Sequence, residues 1–307
     1  MGMTDPLLRP TRRAVSGWAW ASVVANTVIV LTGGAVRLTA SGLGCPTWPR
    51  CTEESFVPHG ELGLHGLIEF GNRLLTYVLI AIAIGTLVAV WRWTSDGRLR
   101  LLAFLLAAGI PFQAVIGGIT VLTDLNPWIV ALHLMLSMVL IAGSTLLLVR
   151  ARGTSVTRLP QRHRVLVVAT FAVLWVALYL GTVVTGSGPH AGDVDVPRNG
   201  LDPQLWSHVH AASVYVLVAL TVACCVVLRR TPAASAAYWL LGVELAQGVV
   251  GFVQYFTDLP ILLVGIHLLG AGVLTALGTR LLVVTAAAGP GAGVRPTSPG
   301  ATVHQPS

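Results

Sequence analysis

Apolar residues along this chain gather into eight long blocks, separated by short segments rich in polar residues, glycine and proline. A helix needs about 20 apolar residues to cross a hydrocarbon layer of ~30 Å, and each block reaches that length. The blocks cover residues 14–36, 64–91, 100–122, 128–149, 165–186, 204–228, 235–257 and 260–284. The pattern predicts an all-α membrane protein with eight transmembrane helices, and the even number places both termini on one side of the membrane.

The second half of the chain repeats part of the first. The segment from Gln113 to His133 recurs 134 positions later, from Gln247 to His267, with a Gly, a Thr-Asp pair and a Leu at matching places. In both copies two apolar runs flank a short turn and bring one His to the same depth. Blocks 1 and 5 also share a Thr-x-Ser-Gly stretch at their ends. We predict two four-helix bundles related by a pseudo-twofold axis along the membrane normal.

The blocks and the repeat divide the chain into five parts. An N-terminal segment, 1–13, precedes an N-terminal four-helix half, 14–149; a linker, 150–164, leads to a C-terminal four-helix half, 165–284. The tail, 285–307, consists largely of Gly, Ala, Pro, Thr and Ser. Such a composition cannot bury enough apolar surface to fold, and it predicts disorder.

Composition and charge agree with a membrane protein. Hydrophobic residues make up 54% of the chain and charged residues 10%, whereas a soluble domain has about 25% charged residues. The arginines concentrate before block 1 and in the connections between blocks 2 and 3, 4 and 5, and 6 and 7. Because cytoplasmic loops carry the excess of positive charge, we predict that these connections and both termini are cytoplasmic. The net charge of +7 then reflects topology, and we expect no nucleic-acid partner.

Histidines are the most informative residues inside the blocks, since ionisable side chains in a membrane are costly and often functional. One His from each of two helices, facing a bundle interior, can hold a haem iron through two axial imidazoles. His210 and His267 offer such a pair, and His133 offers one ligand in the other half. We choose His210 over His208 because the two lie about 200° apart around a helix and His210 begins the apolar run. The alternative is that each His only bonds between helices.

Helix 2 carries four polar residues on one face. His65, Glu69, Asn72 and Arg73 follow the i, i+4, i+7, i+8 spacing that brings side chains together. Glu69 and Arg73 can form an ion pair at this spacing. Alternatively, a buried carboxylate beside a haem acts as a base or positions water. The residues alone leave both interpretations open.

The four cysteines fall into two pairs. Cys45 and Cys51 lie in the first outer connection, 37–63, where an oxidising exterior permits a disulfide. Cys224 and Cys225 lie near the end of block 6 and are expected to pack as small apolar residues. The outer connections 37–63 and 187–203 are long and rich in Gly and Pro, and we predict that they cap the bundle.

Taken together, these segments resemble the haem A synthase family in its bacterial eight-helix form. The resemblance covers residues 14–284 and rests on Glu69-Phe-Gly-Asn-Arg73, Ala-Leu-His133, His210-Ala-Ala, His267 and Gly-Cys45-Pro-Thr-Trp-Pro-Arg-Cys51. It implies an enzyme of the bacterial plasma membrane that converts haem O to haem A. A porphyrin methyl group would become a formyl group through two successive hydroxylations, and the product would serve haem-copper terminal oxidases.

The resemblance also implies roles for individual residues. His210 and His267 would ligate a haem b in the C-terminal half, and His133 would ligate the substrate haem O in the N-terminal half. Glu69 would be essential to the oxidation. The Cys45 and Cys51 pair would form a disulfide that takes part in electron transfer or in handover of haem.

Asn72 departs from the family, because many members have a His at this position. We therefore expect the substrate haem to be five-coordinate or weakly ligated through His133, with Asn72 and Arg73 beside it. His65 is a further candidate, although two helical turns separate it from Asn72 by about 10 Å. His190, in the connection that lacks a cysteine pair, is expected to be a solvated loop residue or to assist at the outer rim.

Two other classes of protein stay open at this point. A bis-His electron-transfer cytochrome b explains the repeated histidines but gives Glu69 no role. A transporter explains parallel repeats and intramembrane charges but predicts no haem. For the synthase the implied partners are haem O, haem A and membrane lipid, with the haem O synthase and a second copy of the chain as further candidates.

Overall fold

The computed structural model describes residues 10–59, 62–190, 192–193 and 195–286. These residues form eight helices: α1 (Arg12–Leu38), α2 (Gly63–Trp93), α3 (Gly97–Leu122), α4 (Pro127–Arg152), α5 (Gln161–Ser187), α6 (Pro203–Leu228), α7 (Ala234–Phe256) and α8 (Ile261–Val284). Each helix is long and apolar enough to cross a membrane. This confirms the all-α, eight-helix prediction. The tail from residue 287 onward, for which disorder is predicted, lies outside the described residues.

Polar caps and prolines set several helix starts. Asp202 accepts hydrogen bonds from two backbone N–H groups of the first turn of α6, immediately before Pro203. Asn126 caps α4 with one such bond, from the N–H of Trp128, immediately before Pro127. Proline suits the first helical position because its missing N–H would have no partner there. The helices therefore begin where the sequence changes from polar to apolar.

The turns that follow α3 and α7 adopt the same conformation. Asp124 and Leu125 in one turn, and Asp258 and Leu259 in the other, all have φ between 49° and 55°. The N–H of each Leu donates to the carbonyl five positions earlier, at 2.8 and 2.9 Å. A leucine rarely adopts this left-handed conformation, so its presence in both copies shows that the Thr-Asp-Leu repeat specifies one turn geometry.

Each half of the chain forms a closed ring of four helices. Consecutive helices are neighbours, and α1 packs against α4 as α5 packs against α8, whereas the diagonal pairs make no close backbone approach within the described residues. Consequently α2 faces α4, and α6 faces α8, across the interior of a ring. The rings meet where α4 and α8 pack together, with α1 against α8 and α4 against α5. The pseudo-twofold axis itself stays a prediction.

The connections at one end of the bundle, which we call the disulfide end, pack against one another; their described residues are 39–59, 62, 123–126, 188–190, 192–193, 195–202 and 257–260. The N–H of Gly42 donates to the Gly192 carbonyl at 2.9 Å. Arg37, in the last turn of α1, donates to the carbonyls of Thr185 and His190. The His190 ring in turn lies 2.9 Å from the Leu259 carbonyl. His190 therefore joins two connections of the C-terminal half.

The opposite end, which we call the arginine end, consists of the connections 94–96, 153–160 and 229–233 and the helix ends that adjoin them, which together carry most of the arginines. Arg12 donates to the Ala151 carbonyl at 2.8 Å, and the N–H of Thr157 donates to the Val284 carbonyl at 2.8 Å. These bonds hold the linker between the halves against both α1 and α8.

Candidate functional site

The interior of the C-terminal ring holds two imidazoles from diagonal helices. The ring centroids of His210 on α6 and His267 on α8 are 6.4 Å apart, and the ring planes meet at 81°. A metal–imidazole bond of about 2.0 Å, plus about 1.2 Å from nitrogen to ring centre, puts the ring centroids of two imidazoles on opposite sides of one metal roughly 6.4 Å apart. The spacing therefore fits a metal ion held between the two rings, and a haem iron with two axial imidazoles meets this requirement.

Hydrogen bonding orients His210 for such a role. Its Nδ1 lies 3.0 Å from the Ala177 carbonyl on α5. A carbonyl partner requires the proton on Nδ1 and leaves the Nε2 lone pair for a metal. His208 is exposed, and its ring lies 6.0 Å from the Tyr255 ring. The two histidines thus point in different directions, as the rotation of a helix requires.

A glycine on a neighbouring helix faces each interior imidazole. Three pairs share this contact: Gly117 with His133, Gly181 with His210, and Gly251 with His267. A Cβ added to these glycines would lie 3.2, 3.3 and 3.7 Å, respectively, from Cε1 of the histidine. The first two distances are tighter than side chains normally tolerate. Glycine at these positions therefore makes room for the rings.

His133 on α4 is the corresponding imidazole of the N-terminal ring. Its carbonyl accepts a hydrogen bond from Gln113 at 3.0 Å, and Gln113 also donates to Ser137 at 2.6 Å. Nδ1 of His133 and Nδ1 of His267 are both buried and have no hydrogen-bond partner among the described residues. The repeated His thus has the same kind of surroundings in both rings.

Asn72 on α2 faces the neighbouring helix α1 and is hydrogen-bonded to it. The Thr32 hydroxyl donates to Asn72 Oδ1 at 2.8 Å, and the amide nitrogen lies beside Gly33. His65 is exposed, and its Nδ1 lies 2.9 Å from the Ser41 hydroxyl. Two turns separate the two side chains on α2, and the structure gives them different partners.

Glu69 is buried, with 5% of its surface exposed. Its Oε1 accepts hydrogen bonds from Arg73 Nε and Nη2 at 3.1 and 2.5 Å. Its Oε2 accepts the backbone N–H of Cys45 at 2.5 Å. The ion pair that the sequence allowed is thus present, and it also binds the first connection.

Cys45 and Cys51 are joined by a disulfide, and the segment 45–51 between them is called here the disulfide loop. Arg73 donates to the carbonyl of Cys45 at 3.0 Å and to that of Arg50 at 3.1 Å. With Glu69 on the Cys45 N–H, the ion pair holds both ends of the loop against α2. Charge-assisted hydrogen bonds of this kind are shorter and stronger than neutral ones.

The middle of the disulfide loop reaches α3. The indole ring of Trp48 packs on Gly118, and Gly117, the preceding residue, faces His133. The loop therefore links the Glu69–Arg73 pair on α2 with the helix that supports the His133 ring. The sequence gives no signal for this contact, because it depends on how the loop folds over the bundle.

Several residues of the interior were given no role by the sequence. Thr32 and the Ala177 carbonyl orient Asn72 and His210, respectively, and neither belongs to a recognisable motif.

Glu244 on α7 is only 2% exposed. Thr221 donates to its Oε1 at 2.9 Å, and its Oε2 has no partner among the described residues. Cys224 and Cys225 are free and buried, in agreement with the apolar packing expected for them.

Fold and site together define a class: a multi-pass helical membrane protein whose interior offers imidazoles suited to haem. Residues 16–279 match the sequence model of the COX15-CtaA family, described as cytochrome oxidase assembly protein. The chain belongs to this family.

Relatives that carry the name heme A synthase match it over much of their length. The protein from Bradyrhizobium sp. (strain ORS 278) is 27% identical, covering 90% of this chain and 90% of the relative. The one from Halalkalibacterium halodurans is 26% identical, covering 79% and 85%. The one from Lysinibacillus sphaericus is 38% identical over a shorter segment, 44% of each chain.

Proposed function

We propose that this protein is a haem A synthase, which oxidises a methyl group of haem O to the formyl group of haem A for terminal oxidases. Membership of the cytochrome oxidase assembly family and the names of its relatives support the proposal. The observation that supports it most directly is that the two rings have different side chains in their interiors. One ring offers two facing imidazoles, and the other offers His133 on α4 and the Asn72 amide on α2, the helix diagonal to α4.

His210 and His267 are proposed to hold a resident haem b. The two imidazoles, whose ring centroids lie 6.4 Å apart, would hold the iron, and Gly181 and Gly251 leave room for the rings. A haem with both axial positions filled can pass electrons without needing an open coordination position. The C-terminal ring therefore suits an electron relay better than a substrate site.

His133 is proposed to hold the substrate haem O in the N-terminal ring. When bound, the haem supplies the redox chemistry, and the protein supplies position and surroundings. Gly117 makes room for the His133 ring, and Trp48 covers the adjoining face of α3. These contacts would orient the porphyrin and limit the access of water from the disulfide end.

Glu69 is proposed to accept protons released by the oxidation. Its pair with Arg73 offsets the cost of keeping a carboxylate charged in the bundle, and the charged form is the one that accepts a proton. Because the same carboxylate holds the Cys45 N–H, proton acceptance at Glu69 would be coupled to the position of the disulfide loop.

We further propose that the arginine end is cytoplasmic and the disulfide end faces outward. The arginine bias of the connections supports this orientation. So does the disulfide at the opposite end, since disulfides persist in oxidising surroundings. The enzyme that makes haem O would supply the substrate, and direct handover from that enzyme is the partner relation that this chemistry favours.

The proposed function is tested by extracting the haems from membranes of a bacterial host that makes haem O but no haem A. Expression of this chain should produce haem A, identified by the mass and absorption of the formyl-bearing porphyrin. A preparation with a low-spin b-type spectrum but only haem O would instead indicate an electron-transfer cytochrome. A colourless preparation would favour a transporter and contradict the proposal.

A further inference from the structure

The two rings place different side chains at positions with matching contacts. In the C-terminal ring the His210 ring lies against Gly181; in the N-terminal ring the Asn72 amide lies against Gly33. Gly33 precedes Gly181 by 148 positions, and α1 and α5 share several buried positions at that spacing, including Ala19 with Val167. The contacts therefore equate Asn72, rather than His65, with His210.

The backbone carbonyl that orients His210 is engaged differently in the N-terminal ring. His210 Nδ1 bonds to the Ala177 carbonyl, and the residue 148 positions before Ala177 is Ile29. The Thr32 hydroxyl lies 3.2 Å from the Ile29 carbonyl oxygen and 2.8 Å from Asn72 Oδ1. In the N-terminal ring the Thr32 hydroxyl thus lies at the Ile29 carbonyl, which would otherwise be available to orient an imidazole.

Thr32 itself is replaced in the C-terminal ring. The residue 148 positions after it is Leu180, which has no hydroxyl to compete for the Ala177 carbonyl. Two changes therefore distinguish the rings together: Thr32 with Asn72 in one, and Leu180 with His210 in the other. In the first pair the Thr32 hydroxyl donates to the Asn72 amide. In the second pair Leu180 has no hydroxyl, and the Ala177 carbonyl bonds to the His210 imidazole.

An amide differs from an imidazole in what it offers to a haem. With Oδ1 engaged by Thr32, Asn72 presents its NH₂ group, which donates hydrogen bonds and has no lone pair for iron. The NH₂ group can instead bond to a small ligand that carries an oxygen lone pair. His133 differs from Asn72 in this respect, because a neutral imidazole has a nitrogen lone pair for iron. Its Nδ1 has no hydrogen-bond partner among the described residues.

We propose that Thr32 and Asn72 form a positioning pair that keeps the face of the substrate haem opposite His133 free of a protein ligand and binds a water-sized oxygen ligand there. This inference rests on the proposed function, because it takes the N-terminal ring as the haem O site. It gives a function to Asn72, which stands where many family members have a His. An imidazole at this position would close the face of the haem at which a small molecule can approach.

The test uses purified full-length protein loaded with haem O, with carbon monoxide as the probe of an open iron face. In the wild type the haem of the N-terminal ring should be high-spin by electron paramagnetic resonance and should bind carbon monoxide when reduced. The double variant Thr32→Leu, Asn72→His copies the C-terminal ring. It should convert this haem to low spin and lose the carbon monoxide difference band, with the haem b signal unchanged.

Two further variants separate the pair from general effects of mutation. Asn72→His alone leaves Thr32 on the Ile29 carbonyl and should convert less of the haem to low spin than the double variant does. The reciprocal variant Leu180→Thr, His210→Asn should open the haem b to carbon monoxide. If either double variant fails to fold, the wild type and Asn72→His still decide the matter.

A wild-type haem O that is low-spin and inert to carbon monoxide would overturn the inference, as would failure of the chain to bind haem O. The first outcome leaves the proposed function standing, whereas the second would overturn both. Formation of haem A by a protein whose substrate haem is inert would refute the inference alone. Absence of haem A with the expected carbon monoxide binding would refute the proposed function alone.

Discussion

The N-terminal and C-terminal rings share one helix arrangement but differ in what each presents to its interior. The C-terminal ring has two imidazoles 6.4 Å apart, with the first oriented by the Ala177 carbonyl. The N-terminal ring has His133, an amide tethered by Thr32, and a disulfide loop bound to Glu69. The same arrangement of four helices thus carries different interior side chains in the two rings, which supports the proposal that one ring holds a resident cofactor and the other a substrate.

Each ring also buries one carboxylate, and the two have different partners. Glu69 lies at the disulfide end, paired with Arg73 and bonded to Cys45. Glu244 lies further from that end, with Thr221 as its hydrogen-bond donor. Only Glu69 is linked to the disulfide loop and to the helix that carries Asn72. The comparison therefore favours Glu69 for proton transfer to or from the substrate.

The largest effect is expected for Glu69→Gln. Removing the proton acceptor should lower haem A formation by at least about 100-fold, the scale of general-base catalysis, while the low-spin haem b remains. The measurement is haem A extracted per haem b. Arg73→Gln is the matched control, because it breaks the same ion pair and loosens the same loop. Equal losses in both variants would assign Glu69 to loop attachment rather than to proton transfer.

Substitution of the glycines that face the imidazoles should affect the two rings separately. A valine at Gly181 would crowd the His210 ring, and since overpacking costs about 1–3 kcal/mol, we expect roughly 10-fold weaker haem b binding. Gly117→Val should spare haem b and weaken haem O binding by a similar factor. Both are measured by titration of haem into purified protein.

Gly71→Val provides the control for these glycine variants, because a Cβ at Gly71 meets no atom within 4 Å. It should leave both haem affinities unchanged. Weaker haem b binding in Gly117→Val, or unchanged haem b affinity in Gly181→Val, would show that the glycine contacts do not define separate sites.

A moderate effect is expected when Cys45 and Cys51 are both replaced by Ser. The disulfide closes a short segment, so its loss should destabilise the protein by about 2 kcal/mol or less, and Arg73 still holds the loop carbonyls. Haem A formation should fall several-fold, with the haem b content and the thermal unfolding temperature nearly unchanged. Full haem A formation in the double variant would remove the cysteines from the mechanism.

The smallest effect is expected for His208→Ala. His208 is exposed beside Tyr255, so its removal should leave the haem b spectrum unaltered, whereas His210→Ala should abolish its low-spin form. The comparison is made by reduced-minus-oxidised absorption of the two purified variants. A change in the low-spin band of His208→Ala would contradict the assignment of the interior face of α6.

Much of the fold was predictable because its causes are local. Long apolar blocks determine eight helices, and the Thr-Asp-Leu repeat recurs as one turn conformation at Leu125 and Leu259. The spacing of Glu69 and Arg73 allowed the ion pair that the structure contains. These features depend on neighbours in the chain, and a single sequence contains that information.

The remaining parts of the site depend on packing between helices, which the sequence does not state. The Thr-x-Ser-Gly stretches match α1 and α5 at a spacing of 146 residues, whereas the contacts of Gly33 and Gly181 match them at 148. For the same reason the equivalence of Asn72 and His210 emerges only from their shared glycine contacts. The contact of Trp48 with Gly118 on α3 could not be predicted either, because it also depends on packing between distant parts of the chain.

The proposed division of roles, a resident haem in the C-terminal ring and a substrate haem in the N-terminal ring, is tested by absorption spectra of the purified wild type, His267→Ala and His133→Ala. We expect a low-spin b-type haem in the wild type, its loss in His267→Ala, and its retention in His133→Ala together with loss of haem A formation. A colourless wild type, or a low-spin haem that survives His267→Ala unchanged, would refute this division of roles.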